Sequence, residues 1–249
     1  VPSRDLYVFA GWYAGETQVT DSLGNAVIEW NYLHATELTA HWTAASQSGE
    51  GYTITNAAQI YALARILAKK PTSDSSVPEN LKSDYELFGV TSGYAEGYGT
   101  LQKAIYTLGN AISLDDQGGT YYGIPNFAGT FDGGNHTITL AITLPQSVAN
   151  ERIGGLIASF DGGTVKDLVL AGTIQSYHGG TTVTGGLIDI GALAGGYVNN
   201  HSATIVNVTS SVTMDLTLDT TSAATCVYVG GIIGRIYSNG SMTSCVNTG

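Results

Sequence analysis

The hydrophobic rhythm of the chain changes twice. Between residues 5 and 43, apolar and polar positions alternate in short runs: Leu6 to Phe9, Thr17 to Thr20, Ala26 to Trp30 and Leu38 to Trp42. Runs of this kind, bounded by turn residues, predict strands. About 40 residues is marginal for independent folding. Between residues 56 and 69 the period becomes helical, with Ile60, Leu63, Ala64 and Leu67 at i, i+3, i+4 and i+7. Asn56 and Gln59 have capping-box spacing, Lys69 and Lys70 suit the C-terminal end of the dipole, and Pro71 stops the helix. Residues 71–102 follow neither rhythm. Pro71 to Pro78 reads as a loop, Asp84 to Phe88 as a short helical turn, and Gly93 to Gly99 as flexible and tyrosine-rich.

From residue 103 onward, β-prone runs of four to six residues alternate with Gly, Asn and Asp turns, and a repeat emerges. Ile153-Gly154-Gly155-Leu156 aligns with Ile190-Gly191-Ala192-Leu193 and with Val229-Gly230-Gly231-Ile232. Each is followed by a second run, beginning at Thr164, Thr204 and Ser241. A fixed period in this range signals a repeat architecture. A short strand cannot bury its apolar side alone, so the pattern predicts a solenoid of stacked strands. Ile153, Ile190 and Val229 would form one interior ladder, Val165, Ile205 and Met242 a second, and Leu168, Val208 and Cys245 a third. The helix at 56–69 would cap the open N-terminal end of the core.

Composition sharpens this picture. Of 33 glycines, 9 precede residue 105 and 24 follow it, whereas the basic residues beyond Ala104 are Arg152, Lys166 and Arg235 alone. Like charges stacked one strand apart repel, and sharp corners require glycine. The net charge is −11, with 9 basic against 20 acidic residues. So few cations argue against nucleic-acid binding and against docking on anionic lipid. No apolar run approaches a membrane span. Cys226 and Cys245 are too few for a disulfide framework; they read as two buried thiols or as one bridge between stacked segments. With few Cys and many Thr, Ser, Asn and Gly, the composition resembles that of exported bacterial surface proteins. The chain starts at Val1 without an initiator Met and stops mid-pattern at Gly249, as a piece of a longer precursor would.

These residues carry two resemblances. Region 103–249 resembles the GLUG-motif family of bacterial surface proteins, a motif also found in the non-catalytic N-terminal parts of immunoglobulin A metallopeptidases. The likeness rests on Thr53 to Ala57, Tyr106 to Leu114, Ile124 to Ile138 and the three Gly-Gly-Leu-type repeats. Residues 6–42 resemble a Listeria–Bacteroides (internalin-type B) repeat through Phe9 to Tyr13, Thr17 to Thr20 and Leu38 to Trp42, without its usual opening strand pair. The resemblances imply an all-β chain: a partial β-grasp-like module at 1–45, then a right-handed parallel β-helix at 52–249. The latter would have its capping helix at 56–69 and an insertion at 71–102.

Candidate chemistry is sparse. The histidines His34, His41, His136, His178 and His201 form no His-Glu-x-x-His motif, so the peptidase resemblance carries no catalysis with it. His136 reads as turn structure. Asp115, Asp116, Asp132, Asp161, Asp167, Asp189, Asp215 and Asp219 fall on different repeats. Asp132 and Asp161 precede Gly-Gly turns, and Asp115-Asp116 reads as a solvated loop before it reads as a cation site. No catalytic residue, metal site or cofactor is expected. Tyr94, Tyr98, Tyr121 and Tyr122 lie in Gly-rich stretches and are the candidate binding residues; the alternative is that they pack residues 71–102 onto the flank. The expected function is a monomeric, non-enzymatic surface module, adhesin-like or spacer, meeting a host protein or glycan. The alternatives are a carbohydrate-active β-helix enzyme and the non-catalytic stalk of a larger metallopeptidase.

Overall fold

A computed structural model describes residues 7–20, 26–29, 36–44, 47–48, 51–197, 201, 203–221, 225–236 and 240–249. The described chain is mostly β, with parallel sheets and three short helices. The first strands form their own antiparallel sheet, in which Tyr7–Ala14 lies between Thr17–Gln18 and Thr39–Ala44. Its register shifts between Phe9 and Gly11. The run expected from Ala26 to Trp30 is not a strand where it is described: Ala26 makes a single bridge to Thr20, and Val27 is exposed. Leu6, Trp30 and His34 lie outside the described residues.

The parallel sheets follow the repeat. One stack runs through Gly51–Ile54, Ile105–Leu108, Thr130–Asp132, the first half of Thr164–Gln175, Thr204–Ser210 and Ser241–Thr243. A second joins Ile112–Asp115, Thr137–Thr143, the second half of Thr164–Gln175 and Thr213–Asp215. Further stacks are Ser147–Ala149 with Thr181–Gly185 and Leu218–Thr220, and Arg152–Gly154 with Leu187–Gly191 and Cys226–Gly230. Ile157–Phe160 pairs with Ala194–Tyr197. The registers place Ile153 beside Ile190 beside Val229, and Val165 beside Ile205 beside Met242. Leu168 neighbours Val208.

Inside these sheets the alternating residues form one core, threaded by an aromatic file. Ring centroids are 5.5 Å apart for Tyr52–Tyr106, 6.1 Å for Tyr106–Phe127, 6.4 Å for Phe127–Phe160 and 5.7 Å for Phe160–Tyr197. Pairs at this spacing are attractive beyond their area burial. The file ends at Tyr197, one turn before the stacks do. Val229 and Met242 are exposed, unlike the Ile and Val that precede them in their ladders, because the last strands have a neighbour on one side only. The cysteines follow suit: both are free, Cys226 is exposed and Cys245 half-buried, so they form neither two fully buried thiols nor a bridge.

Corners turn on more than glycine. Asp167, Asn207 and Ser244 all have left-handed φ, of 53°, 52° and 54°. Asp167 and Asn207 fall between register pairs of the first stack, so the left-handed residues lie one above the other. Asx side chains tolerate this conformation and hydrogen-bond locally, and here the Asn207 amide donates to the Asp167 carboxylate at 2.8 Å.

The helix α1 spans Ala57–Ala68 and starts with the predicted capping box, in which Asn56 accepts from the Gln59 backbone N–H. Residues 71–102 are largely helical rather than an irregular insertion: α2 spans Glu79–Glu86 and α3 spans Tyr94–Lys103. Both pack on α1, burying Tyr85, Phe88, Tyr94, Tyr98 and Leu101. Arg65 of α1 clasps Asp84 of α2 through two bonds of 2.8 and 2.6 Å. The glycines hide α3 from a propensity reading, since each lowers helix stability. Gly97 has a packing reason, because a Cβ there would lie 2.7 Å from the Val90 side chain. Gly99 faces open space with an ordinary φ. Gly99→Ala is therefore expected to raise stability by about 0.5–1 kcal/mol, and Gly97→Ala to lower it. Thermal melts of the two variants check this; equal effects would contradict the packing.

Candidate functional site

One face of α1 runs from the edge of the core out to the surface. Tyr61, Ala64, Arg65 and Ala68 recur at i, i+3, i+4 and i+7 and form a wall of a concave surface pocket enclosing about 360 Å³. The opposite wall is the segment 117–125, with Gln117, Thr120, Tyr121, Tyr122, Gly123 and Pro125; Glu151, Arg152 and Ala158 complete the lining.

The adjacent aspartates build that second wall. The Asp116 carbonyl accepts from the N–H groups of Gly119, Thr120 and Tyr121, while its carboxylate accepts from Gly118 at 3.0 Å and from Thr143 at 3.2 Å. The Asp115 carboxylate accepts from Gln117, which holds its pKa below the ordinary carboxylate value. Tyr61 ties the walls together. Its hydroxyl accepts from the Asp115 N–H at 2.8 Å, and its ring meets Tyr121 edge-on with centroids 4.9 Å apart. Asp115 and Asp116 thus act as loop-building acceptors. Among the described residues, no group of three His, Cys, Asp or Glu side chains is placed to hold a metal ion.

The four tyrosines singled out in the sequence separate into two pairs. Tyr94 and Tyr98 lie on α3 and are buried; their hydroxyls donate to the carbonyls of Thr91 and Leu67. Tyr121 and Tyr122 are in the pocket. Tyr121 is buried and donates to the Gly155 carbonyl at 3.2 Å, and burial pushes its hydroxyl well above the ordinary tyrosine range. Tyr122 is half-buried and donates to Gly119 at 2.8 Å. Its pKa is raised by burial, then by the charges of Glu151 and Asp116.

The charged groups of the pocket were not singled out in the sequence. Glu151 makes no side-chain hydrogen bond among the described residues, and burial pushes its carboxyl above the ordinary value. Arg152 Nε is buried without a hydrogen-bond partner. The nearest carboxylate is Asp189, whose Oδ2 lies 3.8 Å away, beyond hydrogen-bond reach. Asp189 is fully buried and belongs instead to Arg235, at 3.0 Å from Nη2 and 3.2 Å from Nε. The remaining cation of this half, Lys166, pairs with Asp132 and, at 3.6 Å, with Asp167. His201 meets Asp161, His41 stacks on Tyr13, and His136 donates its N–H to Gly133 within its turn. These histidines are spread over separate parts of the chain.

No helix among the described residues is long and apolar enough to cross a membrane. No protein-family model matches the chain, and no curated protein matches it. Among solved structures it is similar to a "putative immunoglobulin A1 protease" from Bacteroides ovatus, at 14% identity and a TM-score of 0.25. The match covers 81% of this chain and 76% of that one.

Proposed function

We propose that this chain is a non-enzymatic module of an exported bacterial surface protein, built as a right-handed parallel β-helix closed at one end by α1 to α3. Its role is to meet a host protein or glycan. The observation that carries this reading is the pocket between α1 and the 117–125 segment. Its size lies within the range of small-ligand sites, and apolar walls surround a few polar groups. It holds a single carboxyl, Glu151, whereas glycoside hydrolysis in its general form needs two flanking the bond. The parallel stacks of the Gly-Gly-Leu segments, with the resemblance of Gly129 to Ile138 to the GLUG motif, support the β-helix. The low-charge, Gly-rich composition supports export.

The test is an affinity screen of the 249-residue chain against matrix proteins, mucins and immobilised glycans. Saturable binding to at least one is expected, and silence across the panel overturns a binding role. Incubation with acidic polysaccharide, with and without Ca²⁺, is expected to release no unsaturated product. Release would replace this reading with that of a carbohydrate-active enzyme.

A further inference from the structure

The pocket lining narrows the class of ligand, on the premise that the chain binds partners at all. Arg152 offers a guanidinium without a hydrogen bond, and beside it Glu151 offers a carboxyl without one. Both side chains are half-buried and neither is hydrogen-bonded among the described residues, so each keeps bonding capacity that a ligand can take up in place of water. The two charges of Arg65 and Asp84 satisfy one another, and Asp189 is paired with Arg235. Arg152 and Glu151 also balance, which leaves the site without net charge. Neither an anion nor a cation is favoured there by a net local field, and a chain of net charge −11 repels anions at long range. A hydroxyl group both donates and accepts, so neighbouring hydroxyls answer a donor and an acceptor together. The rest of the lining, from Tyr61, Ala64, Ala68, Tyr122 and Pro125, suits the apolar face of a ring. At about 360 Å³ the space is near the lower end for small-ligand sites and suits a terminal residue rather than an extended chain.

We infer that this pocket binds a neutral terminal sugar of a glycan, with Arg152 donating to and Glu151 accepting from adjacent hydroxyls. The experiment is a titration of the 249-residue chain with neutral oligosaccharides ending in galactose, mannose, fucose or N-acetylglucosamine. Sialylated and sulfated glycans and short peptides with free termini are run beside them. One neutral terminus is expected to bind, and Arg152→Gln and Glu151→Gln each to weaken it about tenfold or more. Because Arg152 also lies near Asp189, a third variant guards against a folding artefact. Ala68 is an exposed lining residue, and Ala68→Trp fills the space without entering the core. It is expected to abolish binding at an unchanged melting temperature.

Preference for acidic glycans or for peptides overturns the inference, as does binding that survives all three variants. Should a mucin or matrix protein bind in the screen and be untouched by Ala68→Trp, the pocket assignment fails while the surface-binding role stands. If no partner binds in either experiment, the surface-binding role fails as well.

Discussion

Gly154→Ala is expected to destabilise the chain by about 3 kcal/mol or more, at or above the upper end for overpacked cores. Its φ is ordinary; the obstacle is space. A Cβ at Gly154 would lie 1.8 Å from the Ile157 carbonyl oxygen. The same holds at Gly191, 2.1 Å from the Ala194 carbonyl, and at Gly230, 1.9 Å from that of Ile233. These three glycines are register neighbours. Each marks a corner so tight that the backbone three residues on takes the place of a side chain. Leu156, Leu193 and Ile232 then turn into the core. Equilibrium denaturation of Gly154→Ala against the parent measures the loss. A change within about 0.5 kcal/mol, the usual range for a harmless surface substitution, would mean that the corner is looser than described.

Asp189→Ala is expected to cost about 3 kcal/mol, the lower part of the range for breaking a buried ion pair, since both arginines keep some water contact. The carboxylate fills the space over Gly196, where a Cβ would lie 2.9 Å from Oδ2. Burial raises the pKa of Asp189, and the charges of Arg235 and Arg152 only partly oppose the rise. The ionised carboxyl is therefore itself a cost, and the loss in Ala comes from the hydrogen bond of Arg235 left unmade and the space emptied over Gly196. The pH dependence separates these terms. A folded-state pKa above the unfolded value gives stability that is present at low pH and lost as pH rises through the raised value. Asp189→Asn, which cannot ionise, should lose less than Ala and should gain on the parent as pH rises through that window. Urea midpoints at a series of pH values decide it. A parent that gains on Asn instead would show that the two arginines outweigh burial.

The parts of this fold that obey a period were legible in the sequence. The Gly-Gly-Leu alignment gives the observed register of Ile153, Ile190 and Val229, and the α1 stripe and capping box gave its bounds to within a residue. What escaped was tertiary in origin. α3 carries two glycines in ten residues, and it is helical because Tyr98 and Leu101 are buried against its neighbours. Left-handed Asp167 and Asn207 are not glycines, so their stacking does not stand out in composition. The site was half readable. Tyr121 and Tyr122 stood out by type, but a tyrosine count cannot say which ring faces a cavity. Arg152 and Asp189 carried a usable signal, since the repeat that aligns Ile153 with Ile190 also aligns the residues before them. That register brings Arg152 within 3.8 Å of Asp189, although the hydrogen bond to the carboxylate comes from Arg235.

The stacking also governs how the chain can assemble. Each parallel pair joins segments roughly one repeat apart, so the sheets are rich in contacts that are distant in sequence, and such contacts slow folding. Yet the loop closed at each step stays one repeat long, however many strands are already in place. Because closure entropy depends on that length alone, every added repeat meets nearly the same barrier as the one before. The helical end, where α1 to α3 bury their residues against the first strands, supplies the surface on which this growth can begin.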